Sequence, residues 1–370
     1  MALTKITSDG ITDGTVVNAD INASAAIDGS KITPTFSTDA TINGLTVGKG
    51  ANSVSFNTVL ALDALDAAVT GDNNTAIGHL ALTSHTSGGA CTAIGSQALD
   101  ANTSGYSNTA VGSNSLSANT TASDNVAVGV NSLLSNTTGA SNTAVGKNAL
   151  LANTTASYNT AMGDDALLSN TTGHSNVALG AFALDAATTA NYNVAVGRNA
   201  LGAATTGGHN TGIGNDALSS LTTGAGNTAV GSLCGDAITT GFYNTASGFS
   251  SLRYTTTGQY NTAYGTSSLM DNTTGDQNTG LGYDALRNNE TADNNTAVGY
   301  YALRLNTTGT QNVAVGSQAL DANTTANNHV AIGYNALTAN TTGNSNTAIG
   351  HLALEGNTTG NTNVAVGKGA

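Results

Sequence analysis

Residues 142–158 read NTAVGKNALLANTTASY, and this 17-residue pattern recurs without insertion or deletion from Asn74 to a last copy that begins at Asn363. The consensus is N-[TV]-A-[VI]-G-x-x-A-L-x-x-N-T-T-[GA]-x-x, and we number its positions as columns one to seventeen. A less regular copy begins at Asn57. A short period of this kind is typical of proteins whose units stack along one axis.

The residue types of the unit favour strands and turns over helices. Helical repeats need about 33 residues or more, because each contains two helices and their connections. Thr and Val favour strands, whereas Asn and Gly favour turns. The sequence therefore predicts an all-β fold, a parallel β-solenoid of 17-residue coils with successive coils about 4.8 Å apart.

Four columns have a predicted structural role. Column five is Gly in all 18 copies, which indicates a positive φ or a corner too tight for a Cβ atom. Column nine is Leu in 16 of 17 copies and column four is aliphatic in most, so we expect both to form the core. Asn in columns one and twelve should stack as amide ladders. Representative members of the repeat are Gly112, Leu116, Asn125, Gly129, Gly146 and Leu150.

Column three is restricted to small residues, with Ala in 16 copies and Gly in two. A column facing solvent would vary more widely. One hypothesis is that the chain forms a homo-oligomer, a trimer, with this column close to the shared axis. The alternative is that these alanines pack inside a thin coil. The predicted oligomer face comprises Ala110, Ala127, Ala144 and Ala161.

The repeat divides the chain into three predicted regions: an extended attachment segment over 1–43, degenerate transition coils over 44–73 and the regular array over 74–370. The N-terminal residues lack the apolar core of a signal peptide, and no apolar run reaches the ~18 residues that span a bilayer. We therefore expect synthesis in the cytoplasm and no membrane insertion. The last copy ends within a coil, which suggests that a partner protein or oligomer closure covers that end.

Composition argues against several functional classes. The net charge is −13 and no Lys/Arg cluster occurs, so nucleic-acid binding lacks its electrostatic footprint. The six histidines fall in five different columns, which disfavours a metal site. No catalytic motif or cofactor-binding motif stands out, and we expect that the protein is not an enzyme. Cys91 and Cys234 lie far apart in the array, and Cys234 takes a position otherwise filled by small residues.

The least regular stretch, 231–265, is rich in aromatic residues. Exposed aromatic rings can bind sugars through their apolar faces. The alternative is a local repacking of the rod or a change in its diameter. The candidate surface-binding patch comprises Phe242, Tyr243, Phe249, Tyr254 and Tyr260.

The NTAVG core, as at 108–112 and 142–146, resembles the head repeats of trimeric autotransporter adhesins of the YadA type. Arrays of this motif followed by AL and NTTG are also similar to tail-fibre and virion structural proteins of bacteriophages, particularly marine cyanophage-like viruses. Residues 6–21 resemble the beginning of such virion proteins. The resemblance implies a left-handed β-roll that assembles as a homotrimer.

On this resemblance, we expect a phage fibre that residues 1–50 fix to other virion proteins, with a tip protein at its far end and host-surface glycan as its target. A purely structural spacer or decoration of the virion is one alternative. An ice-binding solenoid is another, although the adjacent threonines of columns thirteen and fourteen should point in different directions.

Overall fold

The computed structural model describes residues 39–42 and 45–370, so most of the predicted attachment segment lies outside the described residues. The described part is an all-β parallel solenoid, as predicted, and its one helical element is a 3-10 turn at Ala51–Ser53. The strands are β1 Ala40–Ile42, β2 Leu45–Gly48, β3 Thr58–Leu60, β4 Thr75–Ile77, β5 Thr92–Ile94, β6 Thr109–Val111, β7 Val126–Val128, β8 Thr143–Val145, β9 Thr160–Met162, β10 Val177–Leu179, β11 Val194–Val196, β12 Thr211–Ile213, β13 Thr228–Val230, β14 Thr245–Ser247, β15 Thr262–Tyr264, β16 Thr279–Leu281, β17 Thr296–Val298, β18 Val313–Val315, β19 Val330–Ile332, β20 Thr347–Ile349 and β21 Val364–Val366.

Each coil from β3 onward contributes one three-residue strand, formed by columns two to four. Successive strands pair in parallel with a register of one repeat, so that Ala144 of β8 lies beside Ala161 of β9. The same alignment continues beyond the strands, where the Leu150 amide donates to the Ala166 carbonyl at 3.0 Å. Every column therefore forms a line parallel to the solenoid axis.

The N-terminal end of the stack has a different topology. Strands β1 and β2 form an antiparallel hairpin, and β2 also pairs antiparallel with β3. Strand β3 then pairs in parallel with β4, so regular stacking already begins with the copy at Asn57. The hairpin occupies the edge of β3, which would otherwise present unpaired backbone groups.

The core differs from the prediction in one respect. Column nine is buried as expected, and Leu116 and Leu150 have no exposed surface. Column four, however, points outward: Ile94 is 37% exposed and Leu281 is 45% exposed. The prediction that column four lines the core is wrong, because side chains alternate along a strand and column three takes the inward position.

Column three fills that inward position with alanine. Ala110, Ala127, Ala144 and Ala161 are fully buried within their own coils. The hypothesis that they form an oligomer face is therefore wrong, and the alternative, alanine packed inside a thin coil, is what the structure has. At Gly212 of this column, an added Cβ would lie 3.3 Å from Cγ of Leu201, so the interior has room for little more than a methyl group.

The glycine of column five forms the corner after each strand. Gly112, Gly129 and Gly146 have φ angles of 140°, 136° and 137°. A Cβ atom added at Gly146 would lie 2.3 Å from the carbonyl oxygen of Gly163 in the next coil. Both the backbone conformation and the stacking distance therefore require glycine, as the sequence predicts.

Left-handed backbone also occurs at columns without glycine. Leu150 of column nine has φ 53°, Asn148 of column seven has φ 56° and Tyr158 of column seventeen has φ 62°. This conformation is unfavourable for leucine. Complete burial of the leucine side chain compensates, since it contributes about 1.5–3 kcal/mol.

We expect Gly146→Ala to destabilise the solenoid strongly, because the methyl group must displace the backbone of the next coil. Gly356→Ala is the matched control, since a Cβ there meets no atom within 4 Å. The midpoint of thermal unfolding, followed by circular dichroism, should fall for the first variant and change little for the second. Equal midpoints would contradict the assigned role of the corner.

Two ladders of buried asparagines run along the interior. In column one, the Asn142 backbone amide donates to Oδ1 of Asn125 at 2.9 Å. In column twelve, Nδ2 of Asn153 donates to Oδ1 of Asn136 at 2.8 Å. Within one coil both side chains also converge on a single column-fifteen carbonyl, since Asn142 and Asn153 each donate to Ala156 O, at 2.9 and 3.0 Å. The predicted amide ladders are confirmed.

The column-twelve ladder is interrupted in the middle of the rod. Five successive coils carry non-asparagine residues there: Ala187, Ala204, Leu221, Ile238 and Thr255. At the start of the interruption Oδ1 of Asn170 is buried and has no hydrogen-bond partner, because Ala187 cannot donate to it. The ladder resumes at Asn272, which accepts from Asn289 at 2.9 Å.

This interruption provides a test of the ladder. Asn136→Ala removes a donor and an acceptor from the middle of it, leaving Oδ1 of Asn119 unpaired. Asn170→Ala also leaves one acceptor unpaired, Oδ1 of Asn153, but it removes an Oδ1 that already lacks a partner, so the number of unpaired buried acceptors does not rise. We expect Asn136→Ala to be the more destabilising variant by about 1–3 kcal/mol, the cost of leaving a buried polar group unpaired.

The two asparagine variants are compared by amide hydrogen exchange of the coils around the substituted residue. This local measurement is needed because long repeat arrays need not unfold in one step. Equal loss of protection in the two variants would show that the ladder contributes nothing beyond local packing.

Candidate functional site

The first candidate surface is the outward side of the stacked strands, formed by columns two and four, which we call the strand face. Column two is Thr or Val, and column four is aliphatic in 16 of 18 coils. Met162 is 47% exposed and Val230 is 39% exposed. Because the strands are in register, these side chains form two parallel lines along the whole array. The strand face is therefore a long and regular surface, on which a mostly aliphatic line lies beside a line of Thr and Val.

The second candidate surface is the predicted aromatic patch, which the structure only partly brings together. Phe242 lies in column sixteen, and Tyr243 and Tyr260 lie in column seventeen. Their three rings pack against one another at centroid distances of 5.4–5.6 Å. Phe249 lies in column six and Tyr254 in column eleven, at other corners of the coil. The five residues therefore do not form one patch.

The column-seventeen rings largely stack along the axis, which limits their use as a binding surface. Tyr243 and Tyr260 are parallel within 18°, as are Tyr192 and His209. Gly226 lies between these pairs, and a Cβ there would come within 2.6 Å of Cδ1 of Tyr243. The Tyr243 ring therefore lies over the glycine. Tyr243 and Tyr260 stack on each other and remain 59% and 50% exposed.

A third surface was missed when the sequence was read along the chain. Column six carries aromatic residues in five coils between 249 and 351: Phe249, Tyr283, Tyr300, Tyr334 and His351. Tyr283 stacks on Tyr300, and Tyr334 stacks on His351. A hydrogen bond with Tyr301 raises the pKa of Tyr300 to about 12. Comparing residues 17 apart would have found this column in the sequence.

Charged residues near this column are mostly paired between coils. Arg253 lies 3.6 Å from Asp236, and Arg304 lies 3.1 Å from Asp321. Burial raises the pKa of Asp236 and of Asp321, while the facing arginine opposes the shift. Arg304 also lies over the Tyr301 ring, with its guanidinium carbon 4.2 Å from the centroid. These arginines are held as structural partners of carboxylates and aromatic rings.

The threonine hydroxyls of columns thirteen and fourteen differ in whether they are hydrogen-bonded. In column thirteen the Thr137 hydroxyl donates to the Thr154 carbonyl of the next coil at 3.0 Å. Column fourteen is exposed, and it is Thr in 15 consecutive coils from Thr121 to Thr359. Adjacent threonines of a coil thus point in different directions, as predicted, and of these two columns only column fourteen has free hydroxyls.

Two histidines replace ladder asparagines. In column twelve, Nε2 of His85 lies 2.6 Å from the Gly88 carbonyl and Nδ1 lies 2.9 Å from Nδ2 of Asn102. In column one, Nδ1 of His329 accepts from the Asn346 amide at 3.2 Å. Burial lowers the pKa of both imidazoles below the usual value of 6.5. Each ring is neutral, with Nδ1 as the acceptor.

We expect the wild-type protein to lose stability as the pH falls below about 6.5, because the unfolded state then binds protons that the buried imidazoles do not. In His85→Asn/His329→Asn, which restores the consensus, the loss between about pH 7.5 and about pH 5.5 should be smaller. The midpoints of urea unfolding at the two pH values measure this loss of stability. Carboxyls are common to both proteins and cancel in the comparison. An identical pH dependence would contradict the neutral assignment.

The remaining titratable groups include two cysteines. Cys91 and Cys234 are free thiols buried in the core, as expected for Cys234, and burial raises the pKa of Cys234 to about 12. Within 39–42 and 45–370, no three His, Cys, Asp or Glu residues are grouped to hold a metal ion. The same residues include no helix with the length and apolarity needed to cross a membrane.

Comparison with known protein families finds no family model that matches this chain, and no curated protein is significantly similar to it.

Proposed function

We propose that the chain is a fibre or appendage protein of a bacteriophage particle, a homotrimeric β-solenoid rod that projects from the virion and attaches to the host surface. The observation that supports assembly is the strand face, which exposes aliphatic side chains in coil after coil. It replaces column three as the proposed oligomer face.

The extent of the strand face favours association over a free monomer. Column four alone would expose on the order of 1,000 Å² of apolar surface, whereas the largest patch on a typical monomer is roughly 300–600 Å². Because every coil presents the same two lines, identical rods placed side by side can match along their full length. Closed cyclic symmetry is the usual way for identical chains to bury such a surface.

The number of chains and the biological setting come from the sequence resemblance. The NTAVG repeats resemble trimeric adhesin heads and phage fibre arrays, and residues 6–21 resemble the beginning of virion proteins. On this basis, residues 1–50 attach the rod to other virion proteins, a tip protein joins the opposite end, and a host glycan is the target. The chain carries out no catalysis in this role.

The solution mass of the purified full-length protein tests assembly. We expect three times the chain mass of 36.3 kDa by light scattering. Replacing Val111, Val128 and Val145 with Glu should weaken the assembly while each coil remains folded, because these side chains point outward. The matched control replaces Thr121, Thr138 and Thr155 of exposed column fourteen with Glu, and should remain trimeric. A monomeric wild-type protein would contradict the proposed rod.

A further inference from the structure

Two neighbouring coils in the middle of the rod each lack an interior amide that no larger side chain replaces. The coil from 176 to 192 has the same residue types as the coil from 142 to 158 in columns one, three, eight, nine and fifteen. In column twelve, however, Ala187 stands in place of Asn153. The next coil has Ala204 in that column, and both alanines are fully buried. We call the interior beside these two methyl groups the 187–204 site.

The backbone does not close in around the missing amide. The column-twelve amide donates to the column-nine carbonyl at 3.1 Å both at Ala187 and at Asn153 of the regular coil. Across the interior, Nδ2 of Asn176 donates to Ala190 O at 2.8 Å, and the matching bond of the regular coil measures 2.9 Å. The walls of the coil therefore keep their usual positions.

The neighbouring leucine does not occupy the site either. A Cβ added at Gly212 would lie 3.3 Å from Cγ of Leu201, which is in the same coil as Ala204. A Cβ added at Gly280 would lie at the same distance from Cγ of Leu269, whose coil retains its column-twelve asparagine. The two leucines are thus placed alike, whether or not the amide is present.

The site is bounded at both ends along the axis. On one side the next column-twelve residue is Leu221, whose Cδ1 would lie 2.6 Å from a Cβ added at Gly224, so this side chain fills its own coil. On the other side the preceding residue is Asn170, which is fully buried. The 187–204 site is therefore internal and extends over two coils.

Three hydrogen-bond acceptors at this site lack a donor. Oδ1 of Asn170 has no partner among the described residues. In a regular coil the column-fifteen carbonyl accepts from two asparagine side chains, as Ala156 O does. Ala190 O and Gly207 O each accept from one, because the column-twelve donor is missing. A ligand of this site must therefore supply donors, as two asparagine side chains would.

We propose that the 187–204 site binds two internal water molecules, one beside each alanine. The first donates to Oδ1 of Asn170 and to Ala190 O, and the second donates to Gly207 O and to the first water. All three acceptors then have a donor, and each water makes two or three hydrogen bonds, in the range of about two to four for buried water. Water is favoured over ammonium or a metal cation, because burying an unpaired charge costs far more. Both waters lie inside one chain and are independent of how the rods assemble.

Magnetic relaxation dispersion of water oxygen, recorded on the full-length protein, counts internal waters that exchange slowly with bulk solvent. Ala187→Asn/Ala204→Asn restores the consensus and places an amide where each water lies. We expect the wild type to contain two more long-lived waters than this variant. The matched control, Thr189→Asn/Thr206→Asn, places the same side chains on exposed column fourteen of the same coils and should leave the count unchanged. Equal counts in the wild type and the interior variant would overturn the proposal.

Amide hydrogen exchange between 159 and 192 distinguishes a hydrated site from a dry one. Ala187→Val fills the space with an apolar side chain and supplies no donor to Asn170 or Ala190. In a hydrated site it expels a water and leaves both acceptors unpaired, so exchange should be at least about ten-fold faster than in the wild type. Ala187→Asn supplies both donors and should exchange no faster than the wild type. In a dry site the valine would fill a cavity and stabilise the coil, so unchanged or slower exchange in Ala187→Val would contradict the bound waters.

Discussion

The structure depends on two buried asparagines that, in most coils, converge on one backbone carbonyl. In the coil from 142 to 158, Asn142 and Asn153 both donate to Ala156 O, and the bond from Asn142 joins the start of the coil to its end. Their Oδ1 atoms meanwhile take hydrogen bonds from the next coil. Because a buried amide without partners costs about 1–3 kcal/mol, the interior is stable only if each coil stacks on a neighbour in register.

The amides leave little interior for apolar side chains, which explains the rest of the coil. One leucine from column nine and small residues from columns three and eight fill it. The leucine reaches its place only through left-handed backbone, and the glycine corner brings the chain around within one coil height. In a coil that contains both amides, the Val and Ile side chains of column four do not fit inside. They lie on the outside, where they form the strand face proposed to meet other chains.

The middle of the rod shows how far this arrangement tolerates change. From 187 to 255 the column-twelve amides are absent, and Leu221 and Ile238 are buried in their place. Gly235 lacks the usual leucine, and a Cβ there would meet Cδ1 of Ile238 at 3.0 Å. An apolar side chain from one column thus replaces one lost from another. This stretch looked irregular in sequence, and much of its irregularity is compensation within the core.

The period, the glycine corner, the leucine column and the asparagine ladders could all be read from the sequence, because each depends on one residue type required at one repeated position. The sequence could not decide which side chains of the three-residue strand point into the core. Alternation allows columns two and four to face in or out, and residue size wrongly favoured the valines as core. In coils with both amides, the interior left by leucine and the amides has room in column three for alanine or glycine. Likewise, the aromatic residues became stacks only once the backbone placed residues 17 apart beside one another, which neighbouring positions in the chain do not reveal.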